Sequence, residues 1–153
     1  MPASLAEVLV GHPEVEVVAF TGSVPVGKKI SATAGYKKLV LELGGNDPLI
    51  VLEDADMDLA ITLAAEGSYR NSGQRCTAVK RILVQESIAE EFTRRLVEKT
   101  REYVCGNPMD EATKVGTVID EASARSLEAV VQEAVAQGAR VLIGGERHGA
   151  LMQ

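Results

Sequence analysis

The sequence predicts an α/β fold built on parallel sheet, and three observations carry that prediction. Short apolar runs rich in β-branched residues, at 15–20, 38–43, 48–52 and 81–85, alternate with segments whose apolar residues recur at helical spacing. The runs are apolar almost throughout, the habit of strands buried on both faces. Glycine, proline and asparagine punctuate the joins, as at Gly35, Gly44-Gly45 and Gly106-Asn-Pro108.

In chain order, residues 4–10 have helix-compatible composition, and His12-Pro13 ends them, because proline pushes the preceding residue out of the helical region. The run 15–20 is the first strand. It leads through Thr21-Gly-Ser23 into a helix that reaches about residue 34. Ser23 fits its N-cap, Pro25 its first turn, where a missing N–H is no loss, and Gly35 its end. The second strand, 38–43, closes at Gly44-Gly45 and the third is 48–52, so strand, helix and strand predict a βαβ unit with a right-handed crossover.

Acidic residues at Glu53-Asp-Ala-Asp56 suit the start of a helix over 57–70, with Leu59, Leu63 and Ala64 on its inner face. A polar loop, 71–81, carries Cys76 into the strand 81–85. Ser87 fits the cap of a helix that runs to about residue 104, with Ile88, Phe92, Leu96 and Val97 inward. After a loop at 109–119, a helix over 121–137 has Leu127, Val130, Val131 and Val135 as its stripe. A last strand, 140–143, precedes Gly144-Gly145 and has no following element, which reads as a piece of a larger protein.

The totals narrow the function classes. Sixteen Lys and Arg against 22 Asp and Glu give a net charge of −6 with the basic residues scattered, so there is no electrostatic footprint for nucleic acid. An aromatic content of 3% without tryptophan argues against a base-stacking surface. Apolar runs are too short to span a bilayer, and the start lacks signal-peptide features, so a cytoplasmic location and no membrane partner are expected. Two cysteines, Cys76 and Cys105, and two distant histidines, His12 and His148, suggest neither a disulfide framework nor a metal site.

Three stretches could carry chemistry. Phe20-Thr-Gly-Ser23 with Gly27 is a strand ending in a glycine turn that opens a helix, a place where free N–H groups and the helix dipole favour an anion. On these residues alone, simple capping by Ser23 is the plainer reading. Glu42 ends an apolar strand immediately before Gly44-Gly45, where ligands gather in parallel sheets; it is either a general base or a strand-end charge reaching water. Cys76 follows Gly73-Gln-Arg75 among polar residues, and a cationic neighbour favours the nucleophilic thiolate, whereas Cys105 reads as an inert core residue.

Taken together, Phe20-Thr-Gly-Ser-x-x-x-Gly27, Leu41-Glu-Leu-Gly-Gly45 and Gly73-Gln-Arg-Cys76 resemble the ordered motif set of the NAD(P)-dependent aldehyde dehydrogenase superfamily. The interval from Glu42 to Cys76 fits as well, and the similarity continues through Asp54-Ala-Asp56 and Gly106-Asn-Pro-Met109 over nearly the whole chain. The resemblance implies the end of a Rossmann-type dinucleotide-binding domain over 1–44 and the start of an α/β catalytic domain over 45–153. It implies Cys76 as the nucleophile that forms a thiohemiacetal and then a thioester, and Glu42 as activator of the deacylating water. Gly22, Ser23, Val26 and Leu43 fall at cofactor-binding positions for NAD or NADP, and Arg75 and Thr77 at substrate-facing ones. No metal is implied, and full-length relatives are expected as homodimers or homotetramers.

Gly45-Asn-Asp-Pro48 and Gln74-Arg-Cys-Thr-Ala-Val-Lys-Arg81 are similar to the branch acting on small phosphorylated or phosphonylated aldehydes and lactaldehyde. Phosphonoacetaldehyde dehydrogenase is the first expectation and non-phosphorylating glyceraldehyde-3-phosphate dehydrogenase the second. Arg75 could clamp an anionic substrate group or pair with a structural carboxylate, and both readings stand. The 153-residue chain by itself is expected neither to bind cofactor well nor to turn over. The alternative is a truncated, non-catalytic domain with a binding or assembly role; a cysteine hydrolase lacks a histidine in a persuasive base position.

Overall fold

A computed structural model describes residues 3–153, in two units: one running to Gly45 and one from Asn46 to Gln153. In the first unit α1 (Ala3–Gly11) packs on α2 (Val24–Ala34), which connects β1 (Val17–Thr21) to β2 (Lys38–Glu42). The two strands are parallel, from Val17 opposite Lys38 to Thr21 opposite Glu42, as a βαβ unit requires. Gly35 ends α2 at φ 61° and ψ −125°, a positive-φ conformation that favours glycine. The strands are not buried on both faces. Alternate residues are exposed, Val17 and Val40 by 53% and 48%, because the described residues of this unit cover one face of a two-stranded sheet.

The second unit contains another βαβ arrangement. β3 (Asp47–Val51) pairs in parallel with β4 (Val79–Val84), and α3 (Met57–Tyr69) is the crossover between them. The third apolar run therefore founds a second sheet instead of extending the first. Asp56 caps α3 by accepting from Leu59 N–H at 3.0 Å. α4 (Glu86–Thr100) packs on α3, and the core gathers Val51, Ala60, Ile61, Ala64 and Phe92, with Ile88 and Leu96 against it.

Several expectations are corrected here. Leu59 and Leu63 of α3 are about half exposed, and the buried face is Ala60, Ile61, Ala64 and Ala65; small side chains let the sheet and α4 come close. Gln85, not Ser87, is the N-cap of α4, while Ser87 Oγ donates to Glu53 Oε2 at 3.1 Å. The helix stops at Thr100, short of 104. In α5 (Glu121–Ala136), capped by Asp120, the buried residue is Ala124, and Leu127, Val130 and Val135 are exposed. Residues 140–143 form no strand, because no described segment pairs with them; the last pairing is a short hairpin of β5 (Arg147–His148) and β6 (Leu151–Met152). None of the described helices is long and apolar enough to cross a membrane.

Candidate active site

In the first unit the carboxyl edge of the β1–β2 sheet gathers four of the residues of interest. Gly22 N–H donates to the Glu42 carbonyl at 3.0 Å, which ties the turn after β1 to the end of β2. Glu42 is exposed at that edge. A Cβ on Gly22 would lie 2.4 Å from Cζ of Phe20, so glycine is needed for the ring to fold under the turn as well as for any close approach from outside. A Cβ on Gly27 would lie 2.6 Å from Leu43 Cδ2, so the first turn of α2 rests directly on Leu43.

Ser23 occupies the N-cap of α2 in an extended conformation, but its hydroxyl makes no capping bond. The plainer reading of Ser23 as a simple side-chain cap is thus not what the structure displays. Gly27 N–H goes to the Ser23 carbonyl at 2.9 Å, and Pro25 has no N–H. The amides at Val24 and Val26, in the first turn, have no intrahelical acceptor by geometry. Together with the unengaged Ser23 hydroxyl, this edge suits an anionic group such as a dinucleotide pyrophosphate.

In the second unit Cys76 sits on a turn at the amino edge of the β3–β4 sheet. Past Tyr69 the chain reverses through a 3₁₀ turn, Arg70–Gly73, in which Asn71 (φ 56°), Ser72 (φ 54°) and Gly73 (φ 67°) are all left-handed. Asn and Gly tolerate that region, whereas Ser pays about 1–2 kcal/mol for it. The reversal is fixed by Gln74 N–H to Asn71 O at 3.0 Å and Arg75 N–H to Gly73 O at 2.9 Å. It leaves Cys76 and Thr77 exposed and Ala78 buried. The Cys76 N–H has no acceptor among the described residues.

Arg75 lies neither free nor against a carboxylate. One guanidinium nitrogen donates to the Gly67 carbonyl in α3 at 3.0 Å, and its Nε is buried without a partner among the described residues. Lys80, which the motif reading passed over, places Nζ on the carbonyls of Arg75, Cys76 and Ala78 at 3.1, 3.0 and 3.2 Å. Pro48 inside an apolar run was the available signal, since proline within a strand marks a bulge. Cys105 contrasts with Cys76: it is half-buried, its thiol donates to Tyr103 O at 3.6 Å, and burial pushes its pKa up. Among the described residues no three His, Cys, Asp or Glu side chains cluster as metal ligands.

Comparison with known proteins places the chain in a family. The model of the aldehyde dehydrogenase family matches residues 2–153. A sulfoacetaldehyde dehydrogenase of Neptuniibacter caesariensis is 44% identical over 92% of this chain and 31% of its own length. A lactaldehyde dehydrogenase of Methanococcus vannielii is 43% identical over 92% of the chain and 30% of its own. Among solved structures, glyceraldehyde-3-phosphate dehydrogenase GapN of Methanocaldococcus jannaschii, complexed with NADP, superposes with a TM-score of 0.94 at 42% identity, over 97% of this chain and 32% of that one. The chain thus spans about a third of the length of the curated relatives it matches.

Proposed function

The chain belongs to the aldehyde dehydrogenase family, and we propose that Cys76 is the nucleophile of an NAD(P)-dependent oxidation of a small aldehyde to its acid. The observation that carries this reading is the exposed Cys76 thiol on a turn whose own N–H has no acceptor. Nucleophile and oxyanion donor then belong to one residue. The Cys76 thiolate adds to the aldehyde carbon, and the carbonyl electron pair moves onto oxygen, where the Cys76 N–H meets it. As that oxyanion collapses, hydride leaves the carbon and a thioester remains on Cys76.

The bound dinucleotide supplies the hydride acceptor. Ser23 at the start of α2 would hold its pyrophosphate, with Gly22 in the turn before it allowing close approach, Val26 beside the adenosine, and Leu43, seated under Gly27, completing that wall. Glu42 takes a proton from a water that attacks the thioester carbon, and the C–S bond breaks with its electron pair leaving on sulfur. The acid departs and the thiol is restored.

The relatives named for sulfoacetaldehyde, lactaldehyde and glyceraldehyde-3-phosphate have in common a short aldehyde with a polar or anionic substituent. We propose the same class here, with phosphonoacetaldehyde first and glyceraldehyde-3-phosphate second. Arg75, one nitrogen of which is spent on Gly67 O, is the candidate cation for the anionic group, with Thr77 beside it.

The test is aldehyde-dependent reduction of NAD+ or NADP+ by a polypeptide carrying this chain at the family's full length. Cys76→Ala should abolish it. Glu42→Gln should give a single burst of reduced cofactor and then stall at the thioester. Steady turnover by either variant would sink the assignment of that residue.

A further inference from the structure

Pro48 has no N–H to give to the β3–β4 ladder, and at that point the register slips: Asp47 lies opposite Val79, but Pro48 lies opposite Arg81. Lys80 is the residue left over. Such a bulge re-aims side chains, and the in–out alternation of β4 breaks there, with Lys80 and Arg81 both exposed in succession. Arg81 turns to the Asn46 carbonyl, donating through Nε at 3.2 Å and through a terminal nitrogen at 2.9 Å. Lys80 turns back over the cysteine turn.

The three N–H donors of the Lys80 ammonium match three carbonyls, those of Arg75, Cys76 and Ala78. Of these the Arg75 carbonyl matters most, because it and the Cys76 N–H are the two ends of one trans peptide and point in opposite directions. Holding the oxygen on one side fixes where the N–H points on the other. A cation on that oxygen also draws electron density through the amide and strengthens the N–H as a donor.

We infer that Lys80 is a positioning residue: set by the bulge at Pro48, it aims and polarises the Cys76 N–H toward the oxyanion formed at the cysteine. The inference rests on the reading of Cys76 as nucleophile. It concerns addition to a carbonyl, so its consequence is separable from general reactivity of the thiol.

The experiment compares two reagents on the 153-residue chain and needs no cofactor. With p-nitrophenyl acetate, the Cys76 thiolate forms an S–C bond through an oxyanion. The ester C–O bond then breaks, p-nitrophenolate leaves with the electron pair, and the thiol proton passes to buffer. With iodoacetamide the thiolate displaces iodide at a saturated carbon, and no oxyanion forms. Lys80→Met should slow acylation by about tenfold or more, short of the roughly 100- to 1000-fold seen when an oxyanion donor is removed outright, while alkylation of Cys76 stays within about twofold. Lys80→Arg, which keeps a cation and its donors, should recover part of the loss.

Unchanged acylation in Lys80→Met, or acylation and alkylation falling together, would overturn the inference. Wild-type chain in which Cys76 is not acylated would instead strike the nucleophile reading. The anchor is then read from exchange of the Ala78 amide, which donates to the Arg75 carbonyl at 3.3 Å. Loss of Lys80 should speed that exchange, and an unchanged rate would refute the anchor.

Discussion

At the scale of single residues, the turn before Cys76 depends on positive-φ backbone that residues other than glycine and asparagine seldom adopt. Gly73 is left-handed, and a Cβ placed on it would lie 2.8 Å from the Ser68 carbonyl, a backbone atom with no freedom to yield. Gly35 has nearly the same φ but open space around it. The pair separates conformational cost from collision. Gly35→Ala should lose about 1–3 kcal/mol from its positive-φ backbone alone, and Gly73→Ala more than that, with the turn displaced. Urea midpoints at constant slope measure both, and equal losses would mean that the Ser68 contact is relieved at no cost. The exposed turn at Cys76, the strand end at Glu42 and the helix start at Ser23 were legible in the sequence, because residue types and order mark such places. The contacts of Lys80 were not, since they follow a register slip that no spacing of side chains displays.

At the scale of elements, helix starts were easier to read than helix faces. Asp56 and Asp120 both precede helices and both accept a backbone N–H there, which their residue types announce. The faces of α3 and α5 were misread because leucine and valine were assumed inward, whereas alanines occupy the tight contacts. The cap of α5 has a pH signature. The Ser123 backbone N–H holds the Asp120 carboxylate below its ordinary pKa. A depressed folded-state value means the stabilisation is present above the ordinary carboxylate value, about 3.9. It is lost as pH falls through the lower folded one. Helicity followed by circular dichroism should therefore decline in acid, and Asp120→Asn, which caps without titrating, should remove that part of the decline. An identical acid profile in the variant would show that the cap contributes nothing to it.

At the scale of the whole chain, the alternation of apolar runs and helices was legible in periodicity, but the division of the strands into separate sheets was suggested only by the resemblance, through its boundary at 44/45, because pairing is a long-range choice. The second unit has a single core, and Phe92 is its one large side chain that is essentially fully buried. Truncating it leaves a cavity that Ala60, Ala64 and the ends of β3 cannot fill without moving. Phe92→Ala should cost about 3–5 kcal/mol, a large part of the roughly 5–15 kcal/mol that folded domains possess. Leu59 is 55% exposed although helical spacing set it inward, and Leu59→Ala should cost much less, about 1 kcal/mol, since only about half of its surface leaves water on folding. Denaturant curves of the two variants decide the matter. Comparable losses would mean that the leucine face of α3 is covered after all, and the core would have to be redrawn around it.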